Sequence, residues 1–378
     1  MEGLSDVALN RRFHTIRIRG VEIEAFVSAS SIDMSSDAST RVSFSPRSEP
    51  IFVDTPNPLV AVRFGIVNQG LFYVIETGRG LRPNHLALTA DGWSIAISPI
   101  SDGQFGDLSS IEDPIHKITH AAELTRIDGS EFTAQAAHEM LDVLAMFFSF
   151  SRGRWVAPAL VHGLDKTGAV AMEEWGTRRL HYHTDGATWF DRMHGESLVD
   201  LFPGFVDRLA DADWKESISA AIYWYTRTNN LSAGPDGALV LIQAALERLA
   251  WEALVRTGRV LSQDGFGRLP ASDQLRLLLE RSQIPLEIPT TLRELAKSGK
   301  RFKWDGPQAF VEIRNAIVHP PKLRQNARAF PIYEGWLLGA WYLELVLLRL
   351  FNFQGQYSNR TREVLYVGEV EPVPWKAT

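Results

Sequence analysis

The pattern of apolar residues changes near Leu198, and this change constrains the fold more than any other feature of the sequence. Before it, short β-branched or aromatic runs alternate with clusters of Gly, Pro, Asn and Asp, which is typical of strands and turns. After it, apolar residues recur at helical spacing. We therefore expect an α+β protein with a β-rich unit over residues 1–200 and an α-helical unit over residues 201–378. The chain of 378 residues is long enough for both.

The β-rich unit contains one predicted helix and one segment with two interpretations. Apolar residues recur at helical spacing from Thr133 to Phe150, and Gly153 closes that run. We expect this helix to pack on the sheet. The Ser- and Asp-rich segment from Ser28 to Ser48 predicts either an exposed loop or a strand pair with a long hairpin. Because this unit carries no nucleophile or phosphate-binding motif, we expect a sensing or regulatory role for it.

Composition limits the kinds of site that the chain can form. There is no cysteine, which excludes disulfides, thiolate nucleophiles and every metal site that uses a cysteine ligand. The N-terminus lacks the apolar run of a signal peptide. The apolar run from Trp336 to Phe351 is shorter than the ~20 residues of a membrane span. We expect a cytoplasmic protein without membrane contact, and we interpret that run as a buried core helix or a dimer helix.

A basic island stands out on this acidic chain, whose formal net charge is −6. From Arg293 to Arg328 there are nine basic residues against three acidic ones, a net charge of +6. Lys and Arg provide phosphate affinity because they displace counterions from nucleic acid. The island therefore indicates a localised phosphate-contacting site, with a solvated loop of mixed charge as the alternative.

A motif inside this island has the residue types that metal-free cleavage of RNA needs. Pro320 disfavours helical backbone in the residue before it, so His319 should lie at the C-terminal end of a helix over Gln308–Val318. Cleavage by the RNA's own 2′-OH requires a group that moves protons and a cation for the phosphate. His319 and Arg314 suit these roles, and Asn315 can hold a side chain or the substrate. The alternative is a pair that makes only capping and packing contacts.

The spacing of the motif poses a geometric question. Arg314 precedes His319 by five residues, about 140° of helical rotation, so the two share a face only if the last turn relaxes. A second Arg-x4-His copy, from Arg178 to His183, lies in a strand-like stretch without the Asn. We interpret that copy as a chance match.

The stretch from Ala238 to Arg360 resembles the HEPN superfamily. Its Arg-(Asn/Asp/His)-x3-His motif is matched by Arg314, Asn315 and His319. The run from Leu241 to Leu254 is similar to the early helix of that family, and the Trp336 run is similar to its closing apolar helix. The layout, with a β-rich region before a C-terminal HEPN domain, resembles that of ApeA-like anti-phage proteins.

This resemblance implies a metal-independent endoribonuclease that needs no cofactor and acts as a toxin-like effector in anti-phage defence. It implies RNA as the substrate, with tRNA as one candidate. It also implies a homodimer through the C-terminal domain, in which two copies of the motif come together across one cleft. The apolar circumference of the Trp336 run also favours a dimer interface. A phage protein or another trigger would act at the N-terminal unit. The alternative function is a non-catalytic HEPN module that binds RNA or a protein partner.

Three further residues receive supporting roles. Glu247 on the early helix could orient Arg314 or His319, although such a residue is more often a surface or ion-pair residue. Lys322 and Arg324 follow the motif directly and could hold RNA phosphates.

Other combinations of residues favour structural roles. His116 with His120, and His181 with His183, have the spacing of zinc ligands, but neither pair has a third ligand at diagnostic spacing. We predict no metal at either pair. Two aromatic clusters, Tyr223–Tyr225 and Trp341–Tyr342, could stack on bases but lie among apolar residues, so we expect core packing.

Overall fold

The computed structural model describes residues 13–18, 21–31, 41–46, 51–76, 80–100, 116–175, 178–182, 186–229, 234–319 and 330–376. Within these ranges the chain is mixed α+β, with an antiparallel sheet followed by a helical region. The order of the two regions is the one that the sequence predicts. Lys322 and Arg324 lie outside the described residues.

The main sheet joins seven strands in the order β4-β12-β11-β5-β10-β9-β8, and every pairing is antiparallel. Its strands are β4 (Ile51–Asp54), β5 (Ala61–Val67), β8 (Leu86–Ala90), β9 (Trp93–Pro99), β10 (Ile118–Arg126), β11 (Ala157–Leu164) and β12 (Val170–Trp175).

Strands outside the main sheet form smaller antiparallel groups. They are β1 (Phe13–Ile18), β2 (Val21–Ser31) and β3 (Arg41–Pro46) in one sheet, β6 (Tyr73–Glu76) with β7 (Gly80–Pro83), and β13 (Gln356–Tyr357) with β14 (Glu371–Pro372). The pairing of β2 with β3 confirms the strand-pair interpretation of residues 28–48.

Helix α1 (Ala134–Arg152) covers the sheet, as predicted. The hydroxyl of Thr133 accepts a hydrogen bond from the Ala136 N–H at 3.1 Å and begins the helix. Gly153 ends it at φ 61°, a left-handed conformation that glycine adopts without strain. On β8, Leu86, Leu88 and Ala90 are buried while the residues between them are exposed, so one face of the sheet forms the core.

The helical region begins with α2 (Glu196–Ala210), which also packs on β8. The following helices are α3 (Ala212–Asn229), α4 (Gly234–Trp251) with a π-helical turn over Glu252–Arg256, α5 (Gln263–Arg268), α6 (Ala271–Arg281), α7 (Arg293–Phe302), α8 (Gly306–Val318) and α9 (Ile332–Leu350).

Helix α9 is the central helix of this region. From Gly335 to Leu348 every residue except Leu337 is buried by the chain itself. The core interpretation of the Trp336–Phe351 run is therefore confirmed. Its apolar circumference faces α3, α4 and α8 and is no argument for a dimer, because no apolar face is left over. In the described part of the chain, no helix combines the length and apolarity needed to cross a membrane.

A buried ion pair lies within the helical region. The carboxylate of Glu344 on α9 accepts hydrogen bonds from the guanidinium of Arg360, with Nε at 2.8 Å, and from the hydroxyl of Tyr225 at 2.5 Å. It also accepts the backbone N–H of Trp189 at 3.1 Å. Burial disfavours the charge on Arg360, but the Glu344 carboxylate outweighs this effect and raises the pKa of Arg360. The buried apolar residues form one continuous cluster from Leu59 to Trp375, so the two regions share a core.

Candidate functional site

The motif residues lie at the C-terminal end of α8. Asp305 begins this helix, because its carboxylate accepts the N–H of Gln308 at 2.9 Å. The helix ends at Val318, and His319 has left helical geometry with φ −125° and ψ 64°. The backbone N–H of His319 still donates to the carbonyl of Asn315 at 2.8 Å. The predicted position of His319 at the helix end is confirmed.

Two glycines of α9 let α8 approach closely. A Cβ added at Gly339 would overlap the ring of Phe310, and one added at Gly335 would lie 3.0 Å from Cδ1 of Ile313. The pairing runs in opposite directions along the two helices, so they are antiparallel. Because Phe310 and Ile313 are fully buried, this packing fixes the rotation of α8 about its own axis. It therefore also fixes the direction in which Arg314 leaves the helix.

Arg314 and Asn315 are in direct contact. Nη1 of Arg314 donates to Oδ1 of Asn315 at 3.2 Å, and both side chains are half-buried. Nε of Arg314 is buried and has no hydrogen-bond partner among the described residues. His319 is exposed and forms no side-chain hydrogen bond with Arg314 or Asn315 in the described part of the chain. The structure thus joins two of the three motif residues and places the third, His319, directly after the last residue of the same helix.

Glu247 lies on α4 and faces the N-terminal half of α8. It lines a small cleft with Phe310 and Val311, one helical turn before Arg314. Its carboxylate accepts a hydrogen bond from Nε2 of Gln243 at 2.6 Å. Within the described ranges it forms no ion pair with Arg314 or His319. Its orienting role stays a prediction.

The basic island is partly neutralised. Arg293 contacts Glu363 at 2.7 Å, and Lys297 contacts Glu294 at 2.6 Å. These pairs are exposed, so each is screened by water and salt. The local positive charge is therefore smaller than the count of basic residues indicates.

The histidines and aromatic residues singled out in the sequence separate into core and surface groups. His120 is buried, and burial together with the nearby Arg152 and His85 lowers its pKa to about 3. His183 lies outside the described residues. Among the residues that the structure describes, no three His, Asp or Glu side chains are placed to hold one metal ion. Arg178 of the second Arg-x4-His copy pairs with Glu174 at 3.1 Å.

The core prediction for the aromatic clusters holds for Tyr225, Trp341 and Tyr342, which are buried. Tyr223 is different. It is half-buried and lies beside the guanidinium groups of Arg179 and Arg227. Sequence reasoning missed this group, because residues far apart in the chain form it and no spacing pattern marks it.

The chain is similar to known proteins in two of its parts. Residues 54–185 match the model of the YopA central domain, and residues 211–371 match the model of the YopA C-terminal domain. The chain is also similar to the SPbeta prophage-derived uncharacterized protein YopA of Bacillus subtilis (strain 168), with 30% identity over 260 residues. That match covers 68% of this chain and 58% of the length of the Bacillus protein. No solved structure matches the chain.

Proposed function

We propose that this chain is a metal-independent endoribonuclease of HEPN type whose chemistry takes place at the C-terminal end of α8. The observation that carries the proposal is the arrangement of three residue types at one helix end. Arg314 is hydrogen-bonded to Asn315, and the exposed His319 directly follows the last helical residue, Val318. A proton-transfer group and an oriented guanidinium are what transesterification of RNA requires.

The reaction follows from these groups. The 2′-oxygen of the RNA attacks the adjacent phosphorus while a base removes its proton, and the bond from phosphorus to the 5′-oxygen breaks. The departing 5′-oxygen takes up a proton, so the products are a 2′,3′-cyclic phosphate and a 5′-hydroxyl. His319 is the group that transfers protons, because imidazole does so near neutral pH. Arg314 stabilises the negative charge that develops on the phosphate oxygens.

Asn315 acts as a positioning residue. Its Oδ1 accepts one N–H of Arg314 and so restricts the rotation of the guanidinium plane. A fixed plane can present two parallel N–H groups to two phosphate oxygens. Lys322 and Arg324, which follow the motif in sequence, would contact phosphates beside the cleaved bond.

A second copy of the chain would supply the second proton-transfer group. The reaction needs both a base and an acid, and one motif contains one histidine. Exposed apolar side chains adjoin the motif: Val318 precedes His319 and is 41% exposed, and Tyr333 near the start of α9 is 57% exposed. Such side chains favour a homodimer in which two α8 ends face each other across one cleft.

The comparisons fit a role in conflict between phages and bacteria, because the Bacillus relative is prophage-derived. A toxin-like ribonuclease that a phage component triggers through the sheet-containing region would serve such a role. RNA, with tRNA as one candidate, is the proposed substrate.

The experiment incubates the purified chain with total RNA in EDTA and maps the fragment ends. Wild type should leave cyclic phosphates on the 5′ fragments, and a 2′-deoxy substitution at the cleaved position should block the reaction. Arg314→Ala and His319→Ala should each lower cleavage by roughly 100-fold or more with the fold intact. Arg314→Lys should also fail, because an ammonium lacks the planar fork.

Arg301→Ala is the matched control, since Arg301 is an exposed cation of the same basic island that lies outside the motif. It should cleave like wild type. Cleavage that requires a metal ion, or full activity of His319→Ala, would contradict the proposal. RNA binding without any cleavage would instead favour the non-catalytic HEPN module.

A further inference from the structure

A group of cations and aromatic rings lies on the surface, and none of its residues belongs to the α8 motif. It consists of Trp155, Arg179, Tyr182, Tyr223 and Arg227, and we call it the cation–aromatic patch. The guanidinium carbon of Arg179 lies 5.2 Å from the ring centre of Trp155 and 5.0 Å from that of Tyr223. The guanidinium of Arg227 lies 5.5 Å from the same Tyr223 ring. Both arginines are exposed, so their outer N–H groups face solvent.

Hydrogen bonds hold the segments of the patch together. The side chain of Asn68 donates to the carbonyl of His181 at 2.9 Å and accepts the N–H of Lys117 at 2.9 Å. The N–H of His181 donates to the carbonyl of Trp155 at 3.1 Å. These bonds fix the backbone beside Tyr182, whose ring stacks on His116 with 4.7 Å between ring centres. Tyr182 is 51% exposed, so its ring remains accessible.

The electrostatic environment of the patch is positive. Across the described ranges, Arg179 and Arg227 form no ion pair with a carboxylate. Burial lowers the pKa of His181, and the positive charges of Arg227, Arg179 and Arg154 lower it further. These arginines thus disfavour a further positive charge beside them. The ligand with complementary charge is an anion.

We propose that the cation–aromatic patch binds single-stranded RNA, with phosphates at Arg179 and Arg227 and a base on the accessible ring of Tyr182. Stacking on aromatic rings together with arginine contacts to the backbone is how proteins hold single strands without reading their sequence. A duplex fits less well, because its bases are already stacked on one another. The inference rests on the proposed function for the choice of RNA among polyanions.

The test measures binding of a fluorescent single-stranded 2′-O-methyl RNA to the full chain by anisotropy over a range of salt concentrations. This probe has no free 2′-OH, so binding is read without cleavage. Arg179→Ala combined with Arg227→Ala should weaken binding and reduce the slope of log K against log salt by about 1.4, because each phosphate that is no longer neutralised lowers it by ~0.7. Tyr182→Ala should weaken binding about tenfold and leave that slope unchanged.

Matched controls come from the same protein. Arg126 also stacks on a tryptophan, with its guanidinium carbon 3.7 Å from the centre of the Trp93 ring. It is the last residue of β10, whereas His116, which contacts the patch residue Tyr182, lies just before the first residue of that strand. Tyr366 is an exposed tyrosine outside the patch. Arg126→Ala and Tyr366→Ala should bind like wild type. Equally weakened binding in these controls, or displacement of the RNA by polyglutamate as readily as by unlabelled RNA, would overturn the proposal.

The outcome separates this inference from the proposed function. If the patch variants bind RNA like wild type while wild type cleaves RNA, the patch is not an RNA site and the nuclease proposal stands. If the patch variants bind RNA poorly while wild type cleaves nothing, the patch proposal stands and the nuclease proposal fails.

Discussion

Replacing Glu344 with glutamine keeps the shape of a wholly buried side chain and removes its charge. In the native chain this carboxylate neutralises Arg360, whose side chain is 0% exposed. It also accepts the hydroxyl of Tyr225 and the N–H of Trp189. After the substitution, Arg360 remains a cation without a counter-ion in the core. The new amide NH2 group would also face N–H and O–H donors where an acceptor is needed.

The size of the effect follows from this geometry. Removal of one partner from a buried ion pair costs about 3–5 kcal/mol. Because the amide introduces a donor among donors, we expect a loss in the upper half of that range for Glu344→Gln. The matched control is Glu363→Gln, which breaks the pair with Arg293 at 2.7 Å, where both side chains are more than half exposed. That exposed pair should contribute about 0–1 kcal/mol.

Urea denaturation followed by tryptophan fluorescence and far-UV circular dichroism measures the stability of both variants. A double variant, Glu344→Met with Arg360→Met, leaves no unpaired charge and should be destabilised less than Glu344→Gln alone. The reasoning would be refuted if Glu344→Gln were no less stable than Glu363→Gln. It would also be refuted if the destabilisation of the double variant equalled the sum of those measured for Glu344→Met and Arg360→Met separately.

Three further predictions concern other parts of the chain. Gly339→Ala should cost about 1–3 kcal/mol in urea denaturation and reduce RNA cleavage, because its Cβ displaces α8, whereas Gly335→Ala should cost less. The pKa of His120 is lowered to about 3, so its contribution to folding stability should fall by roughly 2 kcal/mol from pH 8 to pH 5, because the unfolded chain takes up the proton and the folded chain does not. The stability of wild type minus that of His120→Asn should show this pH dependence, because other titrating groups, such as the buried Glu174, contribute equally to both proteins. Light scattering should show that Val318→Asp is a monomer, whereas Val170→Asp, at an exposed residue of β12, should remain a dimer. A monomeric wild type would contradict the proposed dimer.

The amino-acid sequence determined the local features of this protein. The ends of α1 at Thr133 and Gly153, the end of α8 at His319, and the change from strands to helices near residue 200 all follow from it. Each depends on forces that act over a few residues: a capping hydroxyl, a glycine without Cβ, a proline that restricts its predecessor, or a period of apolar side chains. The motif at Arg314 was visible for the same reason, since its residues share one helix end.

Tertiary packing decided what surrounds those features. The apolar circumference of α9 shows that this helix must be covered, but not whether the same chain or a second copy covers it. In the structure, other helices of the same chain cover it. Charge counts could not show that Arg360 meets Glu344 in the core, nor that Arg179 and Arg227 meet at one tyrosine. Contacts between distant segments depend on how whole helices and strands pack, because burial and shape, which no short run of sequence contains, select among many pairings of compatible residues.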